Sequence, residues 1–186
     1  MIHIKNRKNL EEKIEEVRNF AHAYLEKYSS SKQQLRTYLL KRILKKPKQI
    51  KNNSELLNLI DIVISDLESK NFLNDGFYSD IKFKAYLKKG FSLNKIRHTL
   101  IKKGINAKYI TESISKIKND ESDPDFFSAI KHCKKRRIGA IREEGNRKIF
   151  YKKDIGILAR SGFSYEISKK VLDIPKEEFK KLCKLL

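Results

Sequence analysis

The sequence predicts an all-α protein, and three observations support this fold class. Only 7 glycines and 3 prolines occur in 186 residues, which is too few for the frequent turns of a many-stranded sheet. Apolar residues recur in steps of three and four along most of the chain, a spacing that places them on one face of a helix. Ser, Asn or Asp precedes many of these segments, where a helix N-cap is expected.

The first three helices are predicted between residues 10 and 67. Ser31 and Gln34 fit a capping box at the start of the second helix, and Pro47 ends that helix. The third helix is expected to begin near Asn53. The apolar faces comprise Leu10, Ile14, Val17, Ala21, Leu35, Leu39, Ile43, Leu56, Ile60, Val63 and Leu67.

The same pattern of caps and stops repeats in the middle of the chain. Asn74 and Asp75 are suited to cap a fourth helix, which closes at Gly90. Ser92 caps the fifth helix, which Gly104 ends, and a sixth follows. The expected buried positions are Phe77, Ile81, Ala85, Ile96, Leu100, Ala107, Ile110, Ile114 and Ile117.

An acidic and polar segment, residues 119–125, marks the clearest boundary. Asp123 can cap a new helix that has Pro124 at its first position. The acids of this segment lack the spacing and the glycine of a calcium-binding EF-hand loop, so we interpret it as a capped linker. The helices beyond it carry Phe126, Phe127, Ile130, Ile155, Ile167, Val171, Leu172, Phe179 and Leu182.

An internal repeat emerges from these helices. Residues 86–92 and 158–164 each end in Gly-Phe-Ser, with an apolar anchor three or four residues later, and residues 24–31 are a degenerate version. We therefore predict three helical repeats, each too small to bury its apolar faces alone. The expected boundaries are an extension with the start of the first helix at 1–18, then repeats at 19–71, 72–119 and 120–186.

The net charge of +20 indicates a polyanionic partner. Lys and Arg total 43 against 23 Asp and Glu, and the excess is spread along the whole chain. Nucleic acid, or a protein bound to nucleic acid, is the usual partner of such a molecule. The alternative is a compositional preference for lysine on a surface that merely tolerates it.

Two groups of basic residues are candidates for this contact. The densest run, 131–153, contains Gly139 and Gly145, which we expect to interrupt the helix and leave part of the run as a loop. Phe150 and Tyr151 beside it either stack on bases or pack into the third repeat, the interpretation we favour. From the run we select Lys134, Lys135, Arg136, Arg137, Arg142, Arg147 and Lys148, and from the central turn Lys88, Lys89, Arg97, Lys102 and Lys103.

Several segments resemble the RecX family. The stretch 67–75 followed by Phe77, the stretch from Gly90 to Lys103-Gly104-Ile105, and 160–164 (Arg-Ser-Gly-Phe-Ser) are similar to the motifs of that family. The similarity covers about residues 20–175. Asn71 stands where the family usually has glycine, and the first 18 residues match no motif. Arg160 of the last motif joins the candidate binding residues.

The resemblance implies a fold and a set of partners. The fold is three tandem three-helix repeats in an elongated, curved array. The partner is the RecA recombinase filament on single-stranded DNA, whose extension, strand exchange, ATP hydrolysis and stimulation of repressor cleavage the protein modulates, most often as an inhibitor. Direct binding to single-stranded DNA, and to double-stranded DNA as well, is a further implication, and a stand-alone basic DNA-binding protein is the alternative function.

The sequence contains none of the motifs expected of an enzyme. Nucleotide-binding loops, a serine nucleophile elbow and a zinc-protease motif are all missing. Cys133 and Cys183 lack the spacing of a metal site, so we expect reduced structural thiols. We therefore expect no catalysis, cofactor or metal. Without an apolar segment long enough for export or a membrane span, we expect a cytoplasmic protein, and we expect it to be a monomer.

Overall fold

The computed structural model describes residues 2–45, 53–120 and 123–186, and every regular element in them is helical. The all-α prediction is therefore confirmed. The α-helices are α1 (Ile2–Leu25), α2 (Lys32–Leu44), α3 (Asn53–Ser69), α4 (Asp75–Lys88), α5 (Leu93–Lys102), α6 (Ala107–Asp120), α7 (Pro124–Arg136), α8 (Glu144–Arg160), α9 (Tyr165–Leu172) and α10 (Lys176–Lys184), with a short 3-10 helix at Gly139–Ile141.

The chain forms two compact units. Unit 1 comprises Met1–Tyr78 and Lys103–Asn106, and unit 2 comprises Ser79–Lys102 and Ala107–Leu186. This division follows compactness and does not test the three repeats expected from the sequence, whose boundaries stay a prediction.

The core of unit 1 forms where α1, α2 and α3 pack on one another. The predicted apolar faces of α2 and α3 are confirmed, because their residues are buried at the expected spacing. On α1, Val17 and Ala21 are buried as expected and Ile14 is partly buried, but Leu10 is 42% exposed, so the expectation for Leu10 is wrong. The buried members of this core are Val17, Ala21, Leu35, Leu39, Ile43, Leu56, Ile60, Val63, Ile64, Leu67 and Leu73. Helix α1 begins earlier than the predicted residue 10, since residues 2–9 are also helical. Pro47 lies outside the described residues.

The ends of the helices in unit 1 follow the expected chemistry. Ser31 Oγ accepts a hydrogen bond from Gln34 N at 3.2 Å, and the Gln34 side chain accepts one from Ser31 N at 3.4 Å, so the capping box is confirmed. Asn74 Oδ1 accepts from Phe77 N at 2.9 Å. Asn71 has a φ of +59°, and Asn is one of the few residues besides glycine that adopt this conformation readily.

In unit 1, hydrogen bonds connect the start of α2 to two other segments, and we call this connection a joint. Ser31 Oγ donates to Lys103 O at 2.6 Å, while Asp75 Oδ1 accepts from Lys32 N at 2.9 Å. Gly104, with a φ of +78°, lies so close to Gln33 that a Cβ at this glycine would overlap the Gln33 side chain. A glycine is therefore required here for both conformation and space.

Helix α4 buries a different face from the one predicted. Phe77 and Ile81, expected in the core, are 65% and 43% exposed, whereas Phe83 and Leu87 are buried. The reason is a polar contact: the buried Ser79 Oγ lies 2.9 Å from Ser113 Oγ. A serine at a helix contact leaves no mark in the apolar pattern, so the periodicity of this segment predicted the wrong face.

The core of unit 2 is built by α7, α8, α9 and α10. Asp123 Oδ1 accepts from Phe126 N at 3.1 Å and Pro124 is the first residue of α7, so the predicted start of this helix is confirmed. The expected interruption near Gly139 is confirmed: α7 ends at Arg136, where Arg137 has a φ of +55°, and Gly139, with a φ of +65°, begins the short 3-10 helix. The expected interruption at Gly145 is wrong, because this residue lies within the first turn of α8. The buried core residues are Ala129, Ile130, Cys133, Ile138, Ala140, Leu158, Phe163, Val171, Leu172, Ile174 and Phe179.

The two cysteines are free thiols in this core. Cys133 is fully buried in α7, and Cys183 packs against the same cluster from α10. Burial raises the pKa of Cys133 to about 12, so its thiol stays protonated at neutral pH and is a poor nucleophile.

Candidate nucleic-acid interface

Unit 2 contains a basic cleft made of two adjoining hollows. Their volumes are about 500 and 560 Å³, and Lys95, Arg160 and Ser161 line both. The cationic side chains of the basic cleft are Lys95, Lys102, Arg136, Arg142 and Arg160. Among the described residues, no Asp or Glu lines either hollow. Such an arrangement favours phosphate groups over neutral or cationic ligands.

Helix α5 supplies one wall of the basic cleft. Lys95, His98, Thr99 and Lys102 recur at helical spacing and all line the cleft. They lie on the side of α5 away from Ile96 and Leu100, which are buried. One helix therefore places its apolar stripe in the protein interior and a polar, basic stripe in the cleft.

A turn between α8 and α9 holds the second wall in place against α5. Ser92 Oγ donates to Ser161 O at 2.8 Å, and Asn94 Nδ2 donates to Gly162 O at 3.3 Å. Asp125 Oδ1 also accepts from Leu93 N at 2.7 Å. The first two bonds hold the turn that carries Ser161 next to the first turn of α5, and the third joins α7 to the same turn of α5.

This joint in unit 2 has the same pattern as the joint in unit 1. In both, a capping serine donates to a carbonyl just before a glycine of positive φ, and an aspartate accepts from the next amide. The geometry therefore makes Gly162 equivalent to Gly104. The similarity between residues 86–92 and 158–164 had instead aligned Gly162 with Gly90.

An ion pair organises the end of the cleft near the 3-10 helix. Arg142 binds Asp154 through two hydrogen bonds, Nε to Oδ2 at 2.8 Å and Nη2 to Oδ1 at 2.7 Å. Asp154 is buried and also accepts from Gly139 N at 3.0 Å. The bond to Asp154 raises the pKa of Arg142, so this side chain stays charged while its position is fixed.

His132 reports the electrostatics of this region. Its Nε2 lies 3.1 Å from Ser161 Oγ. Burial lowers the pKa of His132 below its usual 6.5, and the charges of Arg136, Lys95 and Lys135 lower it further. Cations of α5 and α7 therefore combine into one positive field at this histidine.

The pKa of His132 is expected to rise when a short single-stranded oligonucleotide binds, because phosphates offset the neighbouring cations. In the free protein, stability should fall as the pH drops below about 6.5 towards the folded-state pKa, since the unfolded chain binds the proton more tightly. NMR titration of the His132 ring signals measures the pKa, and chemical denaturation at several pH values measures the stability. An unchanged His132 pKa at saturating oligonucleotide would place the phosphates elsewhere.

The cleft brings together only part of the predicted basic residues. Lys102, Arg136, Arg142 and Arg160 line it, although they are widely separated in sequence. Lys88 lines a different hollow, and Lys103 belongs to unit 1. The candidates that are exposed on unit 2 and line neither hollow of the basic cleft are Lys89, Arg97, Lys134, Lys135, Arg137 and Lys148.

Arg147 has a structural role in unit 2. Its Nη2 donates to Leu172 O at 3.0 Å and to Ile174 O at 2.8 Å. These bonds tie α8 to the segment between α9 and α10. We therefore leave Arg147 out of the candidate surface.

The two aromatic residues beside the basic run are partly buried. Tyr151 packs against the core of unit 2 and its hydroxyl donates to Asp173 Oδ1 at 2.7 Å. The Phe150 ring lies 4.7 Å from the Arg142 guanidinium and 5.5 Å from Lys153 Nζ. The packing interpretation is therefore correct for Tyr151, and Phe150 makes cation–π contacts.

Sequence reasoning missed Lys95 and the polar residues around it. Lys95 lines both hollows, and its ammonium lies 4.3 Å from the centre of the Phe91 ring. The signal was present in the sequence: Lys95 and Lys102 are seven residues apart, which is two helical turns, and both lie outside the apolar stripe of Ile96 and Leu100. A search for polar as well as apolar helical periodicity would have found this stripe.

Within 2–45, 53–120 and 123–186, no group of three or more His, Cys, Asp or Glu side chains is arranged to hold a metal ion. None of the helices in these ranges combines the length and the apolar character needed to cross a membrane.

Comparison with known proteins identifies the family. No family model matches the sequence. A regulatory protein RecX from Myxococcus xanthus (strain DK1622) is 31% identical over 160 residues, which cover 83% of this chain and 83% of that protein. The chain belongs to the RecX family. The resemblance seen in the sequence motifs is thereby confirmed.

The RecX fold is also present in solved structures. The crystal structure of RecX from Lactobacillus salivarius has a TM-score of 0.63 and 17% identity, covering 91% of this chain and 98% of that one. A second crystal structure of regulatory protein RecX has a TM-score of 0.64 and 15% identity, covering 89% and 74% of the two chains. At these identities the two structures support the helical fold alone.

Proposed function

We propose that this chain regulates the RecA recombinase by binding its filament on single-stranded DNA, and that the basic cleft contacts the phosphate backbone. The observation that carries the DNA contact is the convergence of Lys95, Lys102, Arg136 and Arg160 on one cleft whose described lining has no carboxylate. The RecX family membership supports RecA as the protein partner. Binding inhibits recombinase, ATPase and co-protease activities.

The proposed mechanism uses several surfaces at once. Contacts to neighbouring RecA subunits and to DNA in the filament groove compete with correct packing at a growing end or with entry of a second duplex. Simultaneous contacts raise the effective concentration of each surface, which an isolated helical segment lacks. The three repeats at 19–71, 72–119 and 120–186 are part of this proposal, supported by the matching joints at Gly104 and Gly162. The regulator acts as a monomer in the cytoplasm, where the filaments form, and performs no catalysis.

The test is single-stranded-DNA-dependent ATP hydrolysis by the cognate RecA on preformed filaments, with this protein added below stoichiometry. Lys95→Glu/Arg160→Glu is expected to weaken inhibition by about tenfold or more, because two attractive phosphate contacts become repulsive. Lys148→Glu/Lys152→Glu, the same charge change on exposed residues of α8, should weaken inhibition far less. The slope of affinity against salt should fall by about two in the cleft variant.

Other outcomes would redirect the assignment. An unchanged ATPase rate, together with tight and salt-sensitive binding to DNA alone, would indicate the stand-alone DNA-binding function. Equal losses in the two charge variants would show that inhibition depends on net charge and not on the basic cleft.

A further inference from the structure

A separate hollow of unit 2 has a different chemical character from the basic cleft. It lies where α4, α6 and α7 meet and has a volume of about 210 Å³. Its apolar lining is formed by Leu87, Ile117, Pro124 and Phe127. Three lysines also line it: Lys84, Lys88 and Lys131. We call it the lysine-rimmed hollow.

The lysines of this hollow come from two helices. Lys84 and Lys88 are one turn apart on α4 and are exposed, and Lys131 comes from α7. No Asp or Glu of the described chain lines the lysine-rimmed hollow. A ligand here therefore meets an apolar surface with positive charge on two sides.

The end of α4 approaches α7 closely at Gly90, next to the lysine-rimmed hollow. Gly90, just after α4, has a φ of +75°, and a Cβ at this position would lie 3.0 Å from Lys131 Cβ and 3.2 Å from Ser128 O. The absence of a side chain lets the end of α4 pack directly on α7. This approach sets the spacing of the two backbone segments that carry Lys88 and Lys131.

The lining distinguishes the two cationic sites of unit 2. The basic cleft has polar walls that include Asn94, His98 and Thr99, whereas Ser128 is the only uncharged polar side chain among the described residues that line the lysine-rimmed hollow. A nucleic-acid backbone presents phosphates and polar sugars and has no aliphatic group to fill an apolar space. A peptide can supply both parts: an apolar side chain for the hollow and carboxylates for the lysines.

We propose that the lysine-rimmed hollow docks an acidic peptide segment of a protein partner, with an apolar side chain against Leu87 and Phe127 and flanking carboxylates paired with the lysines. This proposal goes beyond the function proposed above and rests on different residues. Burial of the apolar side chain gives affinity, while the ion pairs select acidic segments and speed their association.

The experiment measures binding of the full-length protein to fluorescent probes by anisotropy. One probe is a short synthetic peptide in which glutamates flank a leucine and a phenylalanine. The second has serines in place of both apolar residues, and the third is a single-stranded oligonucleotide. The variants are Lys84→Glu/Lys88→Glu and, as a matched pair one turn apart on an exposed face, Lys148→Glu/Lys152→Glu.

Lys84→Glu/Lys88→Glu is expected to weaken binding of the apolar acidic peptide by about tenfold or more, and the matched variant by less than about threefold. The serine peptide should bind about tenfold more weakly than the apolar peptide to the unmodified protein. Equal binding of the two peptides, or equal losses in the two variants, would overturn the proposal in favour of general charge attraction. A loss confined to the oligonucleotide would instead make the hollow a nucleic-acid surface. The peptide measurements do not depend on the basic cleft. The variant Lys95→Glu/Arg160→Glu tests the cleft separately, so failure of one proposal can be distinguished from failure of the other.

Discussion

Asp154→Ala is expected to lower the free energy of unfolding of unit 2 by about 2–3 kcal/mol, because the partly exposed Arg142 loses both of its charge-assisted hydrogen bonds. The Gly139 amide also loses its acceptor, which adds the cost of an unsatisfied donor. Chemical denaturation followed by circular dichroism measures the change. Since Arg142 lines the basic cleft, the variant should also weaken oligonucleotide binding at temperatures where it remains folded.

A surface ion pair provides the matched control. Arg36 Nη2 lies 2.8 Å from Asp61 Oδ2, and both side chains are substantially exposed. Asp61→Ala should therefore change stability by no more than about 1 kcal/mol. Arg142→Met together with Asp154→Leu should recover part of the loss, since neither a charge nor a carboxylate then remains buried. Equal effects of Asp154→Ala and Asp61→Ala would contradict a central role for the buried pair.

Gly162→Ala is expected to destabilise unit 2 by about 2–4 kcal/mol, through two effects that act together. The φ of +88° lies in a region that alanine disfavours. In addition, a Cβ would lie 2.6 Å from Ser92 Oγ, so the hydrogen bond from Ser92 to Ser161 must break or move. Thermal unfolding measures the loss, and oligonucleotide affinity should fall because the two walls of the cleft separate.

Gly145→Ala is the control for Gly162→Ala, because it makes the same substitution at a position where alanine can be accommodated. Gly145 lies in the first turn of α8 with nothing within 4 Å of an added Cβ, so this change should stabilise the protein by up to about 1 kcal/mol. Adding Ser92→Ala to Gly162→Ala should relieve the overlap but keep the conformational cost. A Gly162→Ala protein as stable as the unmodified one would show that the turn can relax without consequence.

Local chemistry made much of the fold predictable. The capping box at Ser31, the start of α7 at Asp123 and Pro124, and the glycine stop at Gly90 depend on a few neighbouring residues. Such signals survive in the sequence because the groups that satisfy a helix end lie within a turn of it. The family motifs were recognisable for the same reason, since they contain these turns.

The face of α4 and the members of the basic cleft were not predictable in this way. Ser79 is buried because Ser113 faces it, and nothing in the residues next to Ser79 indicates that partner. Arg136 and Arg160 line one cleft only because α7 and α8 both pack on α9. Lys134 and Lys135, next to Arg136, line neither hollow, although the sequence makes all three equally good candidates.

The amino-acid sequence alone determined the helical class, most helix ends, the apolar faces of α2, α3 and α5, the large positive charge and the RecX resemblance. Each of these depends on composition or on residues within about two turns of one another. The tertiary structure decided which cations share a cleft, which arginines are committed to Asp154 or to backbone carbonyls, and which hollow has an apolar lining. These features arise from side chains on different helices, so their distances exist only once the helices pack.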